Sequence, residues 1–120
     1  MSTTNPAPTS GPVTFDHWYA FAEGGPVHRG LLPFPPADPA PFEVARWSVA
    51  PGTANDLDVH RSRELWIVVA GVGALTWADR TTVLRAGDIV AFDSGVPHQI
   101  RNDGPDELLA VSVFWLPDNG

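Results

Sequence analysis

Residues 52–71 read GTANDLDVHRSRELWIVVAG, and residues 87–102 read GDIVAFDSGVPHQIRN. The run ELWIVVAG is rich in apolar and β-branched residues, the composition of a strand. Along an extended chain, residues i and i+2 share a face, so Asp58 and His60 point the same way. Arg61-Ser62-Arg63 leaves room for a turn or bulge, after which Glu64, Trp66 and Val68 share a face. His98 opens another strand, with Ile100 and Asn102 on its side. If these faces line one barrel, Asp58, His60, Glu64 and His98 converge from three strands. Imidazole and carboxylate donors together hold divalent ions. A D-x-H pair alone is more often surface chemistry than a ligand set, so the surrounding pattern has to carry the reading.

From Phe42 onward that pattern is uniform. FEVARWSVA, ELWIVVAG, GALTW, TTVLR, DIVAF, HQIRN and ELLAVSVFWL are short β-rich runs. Turn signals separate them: Pro51-Gly52, Gly71, Ala78-Asp79-Arg80, Ala86-Gly87-Asp88, Ser94-Gly95-Val96-Pro97 and Asp103-Gly104-Pro105. Strands so spaced predict an all-β sandwich or barrel over residues 42–116. No βαβ alternation and no glycine-rich phosphate loop is present, which excludes nucleotide binding of the Rossmann type. Upstream, residues 1–12 read as a flexible tail. Residues 13–41 hold a strand or short helix and then a linker. FDHWYAFAE, residues 15–23, fits either a helix ended by Gly24-Gly25-Pro26 or an edge strand. PFPPADPAP, residues 33–41, has five prolines and is neither helix nor central strand. Residues 117–120 read as a second tail.

Composition narrows the chemistry. The chain has no cysteine and no lysine, which excludes disulfides, thiolate ligands, cysteine nucleophiles and Schiff-base catalysis. A formal charge of −7 repels nucleic acid and anionic lipid, so neither is an expected partner. The start has no basic, apolar leader pattern and no stretch approaches the length of a membrane span, so a cytoplasmic protein is expected.

With both stretches in view, the chain resembles the cupin superfamily. That family carries the motifs G-x5-H-x-H-x3-4-E-x6-G and G-x5-P-x-G-x2-H-x3-N. This chain has Gly52, Asp58, His60, Glu64 and Gly71, then Gly87, Asp93, Gly95, His98 and Asn102, at those spacings. Asp93 replaces a proline at a turn, where aspartate serves well. Asp58 replaces the first histidine, which touches the metal directly. The resemblance implies a double-stranded β-helix, the jelly-roll cupin barrel, with a divalent Zn, Fe(II) or Mn ion as cofactor. Two ligand arrangements follow. All four residues bind, or His60, Glu64 and His98 form a triad and Asp58 acts as a general base or orients water. Asp58 and Glu64 are thus the candidate catalytic residues.

Around the site, Trp66 is expected to wall a pocket or to pack in the core. Ile100 is expected on the pocket face. Arg46 would hold a substrate carboxylate if it points inward and would be solvated if Trp47 does, with the second reading preferred. Arg61 and Arg63 are expected at the surface. Asn102 is expected to brace a turn. His17 and His28 lie outside the motifs and are expected to be surface or hydrogen-bonding histidines. Apolar faces on both sides of Ala110-Val111 and Val113-Phe114 point to a homodimer. The leading functional expectation is a metal-dependent enzyme acting on a small molecule in a tryptophan-rich pocket. Fe(II) dioxygenase, and Zn or Mn lyase, isomerase or cyclase chemistry, are its forms. Stand-alone cupins of this size also resemble tailoring enzymes of bacterial natural-product pathways, N–N bond formation included. The rival expectation is a non-catalytic ligand-binding or sensing module.

Overall fold

The computed structural model describes residues 19–22, 27–32 and 40–117. Among them are nine strands and no helix: β1 (Tyr19–Ala22), β2 (Val27–Leu31), β3 (Glu43–Val49), β4 (Arg63–Ala70), β5 (Val72–Trp77), β6 (Arg80–Arg85), β7 (Ile89–Phe92), β8 (His98–Arg101) and β9 (Leu108–Trp115). They form two antiparallel sheets, ordered β1-β2-β3-β9-β4-β7 and β6-β5-β8. The fold is an all-β jelly roll. The expected tail 1–12 and residues 118–120 of the expected tail 117–120 lie outside the described residues, as do 33–39 of the proline-rich stretch and His17. Tyr19–Ala22 is the edge strand of the larger sheet; residues 15–18 and 23 of the helix-or-strand segment lie outside the described residues. β2 has no counterpart among the runs read from sequence. Its five residues, VHRGL, contain a glycine and too little alternation to stand out. His28 lies within it, opposite Ser48.

Alternation decides what faces inward. In β3, Ala45, Trp47 and Val49 are buried, and Val44, Arg46 and Ser48 look the other way. In β4, Glu64, Trp66 and Val68 are buried. The core joins these to Phe92, Leu108 and Ala110 of the larger sheet and to Leu75, Leu84 and Ile100 of the smaller one. Trp47 and Trp66 meet edge to face at 4.8 Å, and Trp66 meets Phe92 likewise at 4.8 Å. Each such pair adds roughly 0.5–1.5 kcal/mol to the apolar burial.

The motif residues turn out to be joints. Gly71 is the one residue between β4 and β5, where the chain leaves one sheet for the other. Its φ is +87°, and a Cβ there would lie 2.6 Å from the Glu107 carbonyl oxygen and 2.9 Å from Leu108 Cα. Backbone cannot yield to that, so glycine is required twice over. Asn102 is fully buried. Its amide donates to the Val49 and Asp106 carbonyls at 2.8 Å each and accepts from the Gly104 N–H at 2.9 Å, bracing the loop before β9. The β5–β6 hairpin turns on Ala78 and Asp79, both at positive φ, as the two-residue turn between right-twisted strands demands. No helix among the described residues is long and apolar enough to cross a membrane.

Gly71→Ala combines backbone strain with a backbone clash. It is expected to destabilise the fold by roughly 2–3 kcal/mol. Urea denaturation of wild type and variant checks this, and a loss below about 0.5 kcal/mol would contradict the joint assigned to Gly71.

Candidate metal centre

Three different structural contexts deliver the four candidate residues. Glu64 is the second residue of β4 and faces inward. His98 opens β8. Asp58 and His60 come from a segment that is extended without being part of a strand ladder, contrary to the strand expected there. It touches the smaller sheet through isolated bridges. The Asp58 N–H donates to the His98 carbonyl at 2.9 Å, and the His98 N–H returns the bond at 3.0 Å. The Gly95 N–H donates to the His60 carbonyl at 2.8 Å, and Ser94 Oγ to the Arg61 carbonyl at 2.6 Å. These main-chain clips bind one motif to the other. Alternation survives without a ladder: Leu57 and Val59 are 60% and 57% exposed, whereas Asp58 and His60 are half-buried between them.

Both imidazoles are oriented by backbone. His98 Nδ1–H donates to the Val96 carbonyl at 2.8 Å, and His60 Nδ1–H to the Ser62 carbonyl at 3.0 Å. A carbonyl only accepts, so in His98 Nδ1 carries the proton and Nε2 presents its lone pair when the ring is neutral, whereas His60 Nδ1 also meets the Ser62 hydroxyl at 3.1 Å. The His98 ring is also stacked on Phe92 at 4.3 Å and met edge-on by Trp66 at 5.4 Å. The two Nε2 atoms converge on Glu64 Oε1, 3.0 Å away for His60 and 3.4 Å for His98.

Asp58, His60 and His98 each place one ligand atom within 4.8 Å of the others. Two ligands about 2.1 Å from one ion, at octahedral or tetrahedral angles, stand about 3.0–3.4 Å apart. That is the spacing found around Glu64 Oε1. His98 Nε2 is buried and makes no hydrogen bond. A buried lone pair without a donor is costly unless something electropositive fills the place. The donor set of two imidazole nitrogens and carboxylate oxygen suits Zn, Fe(II) or Mn. The residues present therefore fit a divalent ion.

In the protein alone a proton competes with an ion for the same place. Burial disfavours the Glu64 carboxylate, but His98, the Trp66 indole, the Ser112 hydroxyl and nearby His60 outweigh it and hold its pKa below the usual carboxylate value of 4.5. Burial likewise disfavours a charged His98. The Glu64 carboxylate, the Val96 carbonyl and the charge of Asp58 outweigh it and raise its pKa above 6.5.

A narrow cleft of about 40 Å³, room for a few water molecules, reaches Asp58 and Glu64 of this group. Trp66 and Trp47 form its walls, and Asp58 and Glu64 lie along it. Trp66 is both wall and core, being 3% exposed. Neither Arg46 nor Ile100 is among the described residues of the cleft. Arg46 stands on the outer face of β3 because its neighbour Trp47 takes the inward position. Ile100 has the inward face but sits fully buried in the core, not in the cleft. Arg61 and Arg63 are exposed. The cleft instead takes Arg29 from β2, Asn55 and Ser112. Ser112 was legible as a polar residue on the inward face of β9, and it accepts the Trp47 indole N–H at 2.7 Å. In sequence Arg29 stands two residues before Leu31, and strand alternation puts the two on one face, a basic residue beside an apolar one, which is the signal that would have found it.

The family model described as "Cupin domain" matches residues 45–114. Over 73 residues the chain is 37% identical to the xanthan biosynthesis protein XanB of Xanthomonas campestris pv. campestris, covering 58% of this chain but only 16% of that protein's length. It is 30% identical over 73 residues to an oxalate-binding protein of Thermotoga maritima, covering 60% of each. A crystal structure of a cupin 2 conserved barrel domain protein from Salinispora arenicola superposes with a TM-score of 0.70 at 28% identity, over 76% of both chains.

The Glu64 and His98 shifts have opposite pH signatures in metal-free protein. Stability from the lowered Glu64 pKa is present above 4.5 and is lost as pH falls through the folded value. Stability from the raised His98 pKa is full below 6.5 and is lost as pH rises through the folded value. The metal-free protein should therefore gain most from this pair between pH 4.5 and 6.5, and Glu64→Gln should flatten both flanks. Urea midpoints measured across pH decide it; superimposable profiles for the two proteins would contradict the coupling.

Proposed function

The chain belongs to the cupin family, and from that premise we propose that it is a metal-dependent enzyme acting on a small molecule in a tryptophan-walled cleft. The observation that carries the reading is the convergence of His60 Nε2 and His98 Nε2 on Glu64 Oε1, with His98 Nε2 buried and lacking a hydrogen bond. His60, Glu64 and His98 hold the ion. Bound there, a divalent cation acts as a Lewis acid toward substrate or activates water or dioxygen. Asp58 lies on the cleft beside these ligands. It serves as a fourth ligand or, freed from the ion, takes up and returns a substrate proton. Trp47 and Trp66 exclude water from that transfer and so strengthen the charge interactions inside the cleft. Dioxygenation on Fe(II), or lyase, isomerase or cyclase chemistry on Zn or Mn, are the reaction classes such a centre supports. Tailoring of a small bacterial metabolite is the setting proposed. The homodimer expected from the apolar outer residues of β9 and a cytoplasmic location belong to the same proposal.

The likeness to an oxalate-binding protein favours one alternative, a cupin that binds a small ligand without turning it over. Both readings share the ion and differ in the need for Asp58. Metal analysis of protein purified without added metal separates the cases. Wild type is expected to hold about one divalent ion per chain, and His98→Ala to lose it. In Asp58→Ala, retained metal with a 10²–10⁴-fold (roughly) loss of turnover assigns Asp58 to proton transfer. Loss of metal in that variant assigns it to the ligand set. A wild type that takes up no stoichiometric metal overturns the proposal.

A further inference from the structure

We propose that Ser112, held by Trp47, is a positioning residue for the metal centre, its hydroxyl fixing the rotation of the Glu64 carboxylate; this rests on the metal-dependent reading above. Ser112 is fully buried on the inward face of β9. Its register partner on β4 is Trp66. Glu64 is the partner of Phe114, the next residue of β9 on that face. Ser112 and Glu64 are therefore diagonal neighbours across two paired strands, a spacing that a long side chain spans. Both line the narrow cleft together with Trp47 and Trp66.

Trp47 holds the hydroxyl from the other flank. Its Nε1–H donates to Ser112 Oγ at 2.7 Å. An indole nitrogen only donates, so Oγ accepts there and keeps its own proton to give. The Trp47 ring is packed edge to face against Trp66 at 4.8 Å, which limits how far the donor can swing. The hydroxyl in turn helps to keep the Glu64 carboxylate ionised. The inward row of β9 reads Leu108, Ala110, Ser112, Phe114, and alanine would fill the place of Ser112 with no polar group to desolvate. The centre has a need that a hydroxyl meets. The last torsion of a glutamate is broad, so the carboxylate turns easily about its own axis. His60 Nε2 and His98 Nε2 meet one oxygen, Oε1, at 3.0 and 3.4 Å, and that aim lasts only while the carboxylate plane is held. A donor standing behind the ligand does this. The competing role for Ser112 is simply to satisfy a buried indole, and it predicts a loss of stability with metal affinity unchanged.

The test titrates zinc by calorimetry into metal-free wild type, Ser112→Ala, Trp47→Phe and the double variant Trp47→Phe/Ser112→Ala. The last two differ by the hydroxyl alone, with no indole N–H left unpaired at position 47. Cobalt(II) is loaded into the same four proteins, because its visible absorption reports the arrangement of the ligand atoms. Removing the hydroxyl is expected to weaken zinc binding roughly 10–100-fold in both backgrounds and to shift the cobalt bands. Trp47→Phe alone, which keeps the hydroxyl, should weaken binding by less. Should Ser112→Ala fail to fold, the pair in the Trp47→Phe background carries the test. Zinc bound equally well with and without the hydroxyl overturns the role of Ser112 and leaves the metal centre standing. A wild type that binds no zinc and no cobalt overturns the metal-dependent reading and this inference with it.

Discussion

A carboxylate held out of water between two imidazoles is the constraint on which the site depends. Glu64 is 5% exposed, and burial alone would drive its proton on. It stays ionised because His98, Trp66 and Ser112 face it and His60 stands 3.0 Å away. Each of these partners arrives from a different direction: β8, β4, β9 and the extended segment before β4. Keeping one charge in place thus requires both sheets and the connection between them to be in register. The apolar core does the complementary work. Phe92 and Trp66 fix the plane of the His98 ring, so the same packing that stabilises the barrel also aims a ligand.

The division of labour between main chain and side chain is sharp here. Backbone carbonyls of Val96 and Ser62 set the ring orientations of His98 and His60. Backbone pairing between Asp58 and His98, and between Gly95 and His60, sets how far apart the two motif segments stand. The side chains then have little to do but present their donor atoms. This accounts for the glycines interspersed among the ligands. Gly71 lets the chain change sheets in a single residue, and Gly95, at φ +79°, shapes the turn that clips onto His60.

Much of this could be read from the chain before any coordinates. Strand alternation placed Glu64 and Trp66 on one face and His98 with Ile100 and Asn102 on another, and the structure agrees. The fold class was legible because short alternating runs with turn residues between them admit few architectures. What escaped was set by depth and by partners distant in sequence. Ile100 has the right face, but whether that face meets cleft or core depends on where along the barrel the residue sits, which alternation does not encode. Arg46 and Trp47 compete for one inward position, and apolar burial awards it to the indole. Arg29 reaches the cleft only because β2 pairs with β3, a contact between segments some eighteen residues apart, with the proline-rich stretch between them.

The reciprocal main-chain bonds between Asp58 and His98 carry one more implication. They anchor position 58 without asking anything of its side chain. A residue whose backbone is tethered in this way can be exchanged while its neighbours keep their places. The Asp58 position is therefore a point of low-cost variation in an otherwise rigid donor set. Replacing aspartate by histidine, asparagine or glutamate there would alter charge and basicity at the candidate site while keeping the main-chain bonds that hold the position. Divergence of chemistry among proteins built this way has a short path through one codon, and the same path is open to the engineer.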